Sequence, residues 1–238
     1  MDLQKLFSGK SKKLALLIDP DKTPANKAAK MAADAEKYGF HVIFVGGSLI
    51  SEPFDKYISA IKSKCKLPVI LFPGSLFQIS AKADGMLLLS LISGRNPEYL
   101  IGQHVIAAPL IKKMKLQTIP AGYILVEGGY TSSVEYMSNT KTIPASKTDI
   151  IKATAMAGEM LGLKLLYLEA GSGARSRIPS KVIHEVKSSI TIPLIVGGGI
   201  TSGKELKEVF AAGADIAVIG TAIEKETSLI KEFGKIIL

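Results

Sequence analysis

The sequence predicts a (β/α)8 barrel formed by one domain, residues 1–238. Three observations carry that expectation. Short apolar runs recur along the chain and most are followed by a helical pattern, an alternation that predicts a parallel sheet. Eight such runs fall within 238 residues, close to the roughly 250 typical of this barrel. The strongest glycine turns follow the last two runs, Pro193-Leu-Ile-Val-Gly-Gly-Gly-Ile-Thr-Ser202 and Asp215-Ile-Ala-Val-Ile-Gly-Thr-Ala222. Barrels place a phosphate site there, where glycine frees backbone N–H groups and a helix N-terminus carries partial positive charge. The plainer reading of both stretches is two ordinary βα turns with glycine at their corners. An open doubly wound sheet is the runner-up fold, but its glycine fingerprint belongs in the first βα turn.

Residues 14–18 form the first strand, which runs into Asp19, Pro20, Asp21 and Lys22. Pro24 opens a helix to about Tyr38 with Ala28, Met31, Ala32 and Ala35 on one face, and Gly39 stops it. The second strand, 41–46, ends in Gly46, Gly47 and Ser48; a helix from Glu52 to about Ser63 leads to the third, 68–72. The next connection, 75–84, is too short for a full crossover helix, so the third helix is expected to be degenerate. The fourth strand is 85–90, and Pro97 begins a long helix through about Met114. The fifth, 117–126, is unusually long and carries Pro120 and Gly122, which predict a break or bulge. Residues 128–147, polar and rich in Ser and Thr, read as the longest loop. A helix over 148–161, a sixth strand over 163–169 and its glycine-rich exit 170–173 precede the last two strands. One terminal helix over 223–233 is expected to close the chain.

Hydrophobic residues at 47% and charged residues at 21% suit a folded core, which without tryptophan rests on Ile, Leu, Val and Ala. The single cysteine, Cys65, excludes an internal disulfide and fits a reducing cytoplasm. It lies between lysines with no histidine nearby, which argues against a nucleophile. The N-terminus lacks an apolar run of signal length, and no stretch approaches the roughly 18 apolar residues of a membrane helix. The formal net charge is +9, but Lys and Arg are spread along the chain and no nucleic-acid motif accompanies them. Anionic substrates, or peripheral contact with an anionic membrane surface, account for the charge without nucleic acid.

Strand C-terminal ends share one mouth in such a barrel, so Asp19, Asp21, Ser48, Glu127, Tyr167 and Glu169 can be read as one set. Asp19 follows wholly apolar residues and needs a cation or a strong donor. Mg²⁺ is the natural cation, because it takes one or two carboxylates and completes its shell with water and phosphate oxygens. The alternative is a turn and helix cap, and for Asp21 that alternative is preferred. Glu169 is placed to bind a substrate hydroxyl or act as a general base, or to pair with Arg175 or Arg177. Tyr123 and Glu127 either face the same cavity or serve packing and rim. His41 falls on the barrel floor, and His104 and His184 on helices. No His/Cys metal spacing, Ser-His-Asp arrangement or phosphate-binding Walker loop is found.

Seven segments then combine in order: Leu-Ile-Asp-Pro-Asp-Lys (17–22), Val-Gly-Gly-Ser (45–48), Ser-Gly-Arg-Asn-Pro-Glu-Tyr-Leu-Ile-Gly-Gln (93–103), Gly-Tyr-Ile-Leu-Val-Glu (122–127), Tyr-Leu-Glu-Ala-Gly-Ser-Gly (167–173), Val-Gly-Gly-Gly-Ile (196–200) and Ile-Gly-Thr (219–221). In register from Leu14 to Thr221, the chain resembles the geranylgeranylglyceryl phosphate synthase family. The resemblance implies a (β/α)8 barrel lacking a proper third helix. It implies transfer of a prenyl group from a polyprenyl diphosphate to the primary hydroxyl of sn-glycerol 1-phosphate, with Mg²⁺. Carried over by motif, Asp19 and Ser48 are the implied Mg²⁺ site. Tyr167, Leu168, Glu169, Ala170, Gly171, Ser172 and Gly173, with Gly198, Gly199, Gly220 and Thr221, are the implied glycerol phosphate site, and Glu169 orients the hydroxyl and takes its proton. Some bacterial relatives have lysine where this chain has Leu17, so the resemblance is to the archaeal-type branch. Family members are commonly dimers or hexamers, and exposed apolar faces on outer helices would fit a homo-oligomer. Tyr99 matches a bulky aromatic and is a candidate ruler of tail length. Two other readings are an isomerase or cyclase of the phosphate-handling barrels and a non-catalytic phosphate- or lipid-binding barrel.

Overall fold

Strands with no polar face must be covered on both sides, and this chain meets that need by closing its sheet into a ring. In the computed structural model, which describes residues 2–9, 11–51 and 53–237, parallel strands form a closed barrel in chain order. They are β1 (Lys13–Ile18), β2 (Val42–Val45), β3 (Val69–Leu71), β4 (Gly85–Leu91), β5 (Thr118–Leu125), β6 (Leu165–Glu169), β7 (Leu194–Gly197) and β8 (Ile216–Ile219). β1 pairs with both β2 and β8, which rules out the open sheet. The ladders are unequal. β3 and β4 register only at Ile70↔Gly85 and Leu71↔Met86, whereas β4 and β5 register from Met86↔Thr118 to Leu91↔Tyr123.

Alternate residues along each strand serve two cores. Ala15, Phe44, Leu87, Tyr167 and Ile195 pack inside the barrel. Leu16, Ile43, Leu71, Leu166 and Val196 pack outward under the helices. A short helix that the sequence reading lacks, α1 (Leu3–Phe7), brings Leu3 and Phe7 into the inner core, Phe7 stacking on Phe44.

The outer layer comprises α2 (Ala25–Lys37), α3 (Phe54–Lys62), α4 (Gln103–Met114), α5 (Ser133–Ser138), α6 (Thr148–Met160), α7 (Ser180–Lys187), α8 (Gly203–Ala211), α9 (Thr221–Lys225) and α10 (Leu229–Ile237). Glu52, the expected start of α3, lies outside the described residues. α2 buries Ala28, Met31, Ala32 and Ala35, the stripe read from the sequence. A π-helical turn, Glu98–Gly102, leads into α4. No helix lies between β3 and β4, in agreement with the short 75–84 connection.

Three expectations are corrected. β5 is unbroken through Pro120, which registers with Leu88. Its carbonyl accepts from Lys164, just before β6 begins, so the missing N–H faces a point where no β6 ladder bond is due. The 128–147 loop contains α5, capped by Ser132, whose hydroxyl accepts the Glu135 N–H, and ended by Asn139 in the left-handed region. The terminal helix is two helices. Glu226 is extended between them, and Ser228 turns its hydroxyl onto the Glu226 carboxylate at 2.7 Å rather than continuing the first helix.

Candidate functional site

A cavity of about 1000 Å³ opens at the C-terminal ends of the strands. Its polar end lies over β6, β7, β8 and β1. There the loops after β6 and β7 meet so closely that side chains are excluded. A Cβ on Gly198 would stand 2.9 Å from both the Ala170 and Gly171 nitrogens, and one on Gly199 would stand 2.8 Å from the Arg177 nitrogen. Both glycines have positive φ, +83° and +71°. The N–H groups of Ser172, Gly173, Gly198, Gly199 and Gly220 donate to no acceptor among the described residues. Ser172 Oγ and Thr221 Oγ1, 3.0 Å apart, add hydroxyls to this cup. Such a set of inward N–H groups suits a phosphate.

The α8 N-terminus contributes less than the sequence reading expects. Ser202 and Glu205 cap it reciprocally, and Glu205 also accepts from Thr201. The cup is therefore made by loop backbone and by the start of α9.

Glu169 lies at the end of β6, buried against the cup. Its Oε1 accepts the Gly171 N–H at 2.6 Å, so Oε2 is the oxygen not tied to backbone. Burial pushes its carboxyl up to about 7, against the pull of the Gly171 N–H and the neighbouring Tyr167 hydroxyl. Tyr167 Oη is buried and close enough to favour the charged carboxylate, yet makes no hydrogen bond to a described residue. Tyr123 and Phe72 pack on Tyr167 with ring centroids 5.3 Å away, fixing that wall. Among the described residues Glu169 pairs with neither Arg175 nor Arg177, and Arg177 pairs with Glu208 instead. Leu168 and Ala170, included in the expected substrate segment, turn their side chains into the outer core and do not line the cavity. Tyr123 faces the cavity, whereas Glu127 is exposed and outside it.

Across the cup stands Asp19. Its side chain is 2.8 Å from Lys22 Nζ, and its N–H donates to Glu224 Oε1 at 3.0 Å. Burial raises the Glu224 carboxyl, and Asp19 raises it further against bonds that lower it. Gly47 presses on this carboxylate: a Cβ there would lie 2.5 Å from Asp19 Oδ1. Ser48 follows and also lines the cavity. Buried Gln78 holds this loop, its Oε1 accepting from Gly47 and Gly74 and its Nε2 donating to the Gly47 carbonyl at 2.7 Å. Asp21 serves local structure, accepting from the Ser51 N–H and hydroxyl. Among the described residues no cluster of three or more His, Cys, Asp or Glu is arranged to hold a metal by itself. One carboxylate and one hydroxyl beside a phosphate cup nevertheless suit Mg²⁺, which draws its other ligands from water and substrate.

The other end of the cavity is apolar. Met86 and Leu88, on the outward face of β4, line it together with Leu76, Ile79 and Ala107. The groove thus leaves the barrel interior and runs where a third helix would have covered β4. Tyr99 lines it from the π-helical turn and donates its hydroxyl to the Met137 carbonyl at 3.2 Å. His104 packs α4 onto β4, with Nε2 2.7 Å from the Leu89 carbonyl. His41 accepts the Leu14 N–H near the floor. Cys65 is buried and its thiol is pushed up to about 11, mainly by burial, which leaves it inert.

Lys22, Gln78 and Glu224 are site residues that the sequence reading did not single out, as is Tyr130, whose hydroxyl donates to the Ser172 carbonyl. Glu224 had a signal, lying three residues after Thr221 on the same short helix.

Residues 9–237 match the model of the PcrB family. A protein of Chitinophaga pinensis named geranylgeranylglyceryl phosphate synthase is 51% identical over 94% of this chain and 89% of its own length. One of Pyrococcus horikoshii with the same name is 45% identical over 90% and 84%. The crystal structure of (S)-3-O-geranylgeranylglyceryl phosphate synthase from Thermoplasma acidophilum, in complex with substrate sn-glycerol 1-phosphate, superposes with a TM-score of 0.91 at 36% identity, covering 96% of this chain and 92% of that one.

Proposed function

The chain belongs to the PcrB family and is a prenyltransferase of the geranylgeranylglyceryl phosphate synthase kind, and from that premise we propose that it moves a geranylgeranyl group from its diphosphate to the primary hydroxyl of sn-glycerol 1-phosphate, with Mg²⁺. One observation carries the reading: a single cavity joins a backbone cup for phosphate, the carboxylates of Asp19 and Glu169, and an apolar groove. The loops after β6, β7 and β8 hold the acceptor phosphate, and Glu169 Oε2 lies beside them to take the hydroxyl hydrogen bond. Asp19 and Ser48 are the residues that would hold Mg²⁺, which when bound neutralises the diphosphate as it leaves.

In the transfer, the acceptor oxygen bonds to the allylic carbon, the bond from that carbon to the diphosphate oxygen breaks, and the hydroxyl proton passes to Glu169. A carboxyl near 7 is poised for that role at neutral pH. Positioning supplies much of the rest, because cup and groove hold the reactants side by side. The tail lies along Leu76, Ile79, Met86 and Leu88.

Leu49 and Tyr136 on the rim, and Phe77 beside Leu76, are exposed, which with the +9 charge supports peripheral contact with a membrane surface. No helix of the described residues is long and apolar enough to cross a membrane. A cytoplasmic location is supported by the lone buried thiol. Ile101, Val105, Ile106 and Leu110 leave one side of the Pro97–Met114 segment apolar and exposed, which supports a homo-oligomer.

Incubation with labelled sn-glycerol 1-phosphate, geranylgeranyl diphosphate and Mg²⁺ should give a labelled ether product that chelation abolishes. Diphosphate release without an ether product would overturn the assignment, and an ether product formed equally well in chelator would remove the metal from it.

A further inference from the structure

Lys22 stands between the two halves of the polar site. Its ammonium is 2.8 Å from Asp19 Oδ2 and donates to Ser172 Oγ at 3.3 Å, and Ser172 Oγ is 3.0 Å from Thr221 Oγ1. One side chain therefore touches both the β1 carboxylate and the hydroxyls of the phosphate cup. The cup itself is backbone and hydroxyl, with no full positive charge, whereas a phosphate monoester carries close to two negative charges at neutral pH. Lys22 and Lys225 are the lysines lining the cavity, and of the two only Lys22 bonds to a cup residue. The Lys22 side chain is 52% exposed although that of Asp19 is only 15% exposed, so the ammonium keeps its access to solvent and room to change partners.

We propose that Lys22 is the cation that binds the acceptor phosphate, and that Asp19 controls how far it is available to do so. A metal ion on Asp19 displaces the ammonium from that carboxylate, because the two cations compete for the same oxygens. Released, the ammonium turns to the phosphate in the cup. Occupation of Asp19 and occupation of the cup then favour each other, and the coupling is reciprocal. The inference rests on the phosphate reading of the cup given above.

The test is calorimetric titration of the full chain, without divalent cation, using sn-glycerol 1-phosphate and, separately, inorganic phosphate. Lys22→Met should weaken both ligands about tenfold or more, and Lys22→Arg should stay within about threefold of the parent. Asp19→Asn should tighten phosphate binding about threefold or more in the parent but leave it unchanged in the Lys22→Met background. Equal tightening in both backgrounds would mean a bare charge effect and would overturn the control by Asp19. Binding by Lys22→Met within about twofold of the parent, with unaltered melting temperature, would overturn the role of Lys22 while leaving the acceptor assignment standing. Lys22-dependent binding of inorganic phosphate without binding of sn-glycerol 1-phosphate would keep the inference and remove that acceptor. Binding of neither ligand would remove both.

Discussion

The two ends of the cavity are made of different materials. The cup is backbone: N–H groups at the ends of β6, β7 and β8, fixed by loops that touch where glycine allows. The groove is side chain: Leu76, Ile79, Met86 and Leu88, uncovered because no helix spans β3 to β4. Backbone dipoles aimed at an anion act through position, and a misplacement of about 1 Å can cost about 10²-fold. An apolar wall acts through area, which changes by one methylene at a time. Substitutions at the cup should therefore act on the acceptor through misplacement, and those at the groove on the donor in proportion to the area changed.

The largest effect should come from the carboxylates. Asp19→Asn should lower Mg²⁺-dependent turnover at least ~10²-fold, about 2.7 kcal/mol of barrier, with the melting temperature little changed. Turnover within a factor of a few of the parent would remove Asp19 from the metal site. Next, Gly198→Ala places a Cβ against the Ala170 and Gly171 nitrogens at a φ of +83°. The strain alone is of order 1–2 kcal/mol, and KM for the acceptor should rise tenfold or more with KM for the diphosphate unmoved. A rise in both would show that the boundary between the two ends is drawn wrongly.

At the groove, Tyr99→Ala should shift relative kcat/KM toward a longer diphosphate by about tenfold, the scale expected where a contact worth roughly 1–3 kcal/mol is lost. Equal losses for short and long donors would make Tyr99 only a strut, through its bond to Met137. A different effect concerns stability. Glu169 titrates at about 7 in the fold against an ordinary 4.5, so the folded chain holds this proton more tightly than the unfolded one. Its stabilising contribution is complete below 4.5 and is lost as pH rises through about 7. Denaturant unfolding of Glu169→Gln should show a flatter pH dependence across that window, and an identical dependence would mean that Glu169 does not titrate there.

The same contrast decides what could be read from the chain alone. Strands announce themselves as branched apolar runs, and the glycines at 197–199 mark a backbone site because few other roles need three in a row. The absent helix was legible as a shortage of residues between β3 and β4. Pro120 misled because a proline's cost depends on what its nitrogen faces, and that is set by where β6 begins. α5 was missed although Ser132, Glu135 and Asn139 spell its two caps, since its composition is that of a loop. Lys22 also reaches Ser172, 150 residues away, and Gln78 reaches Gly47, 31 residues away, and spacing carries no trace of those two contacts.

A ring of strands is only as secure as its shortest seam. Here β3 and β4 meet at Ile70↔Gly85 and Leu71↔Met86 alone, while the next seam runs the length of β4. Amide protons around Asp84 to Met86 should therefore exchange with solvent sooner than those of β5, as the place where the ring first unzips. The weak seam borders the groove, with Met86 belonging to both. A hydrocarbon chain laid over Met86 and Leu88 would then serve as a temporary clasp, slowing that exchange and lending the barrel, for the length of one turnover, the buttress that its missing helix would have provided.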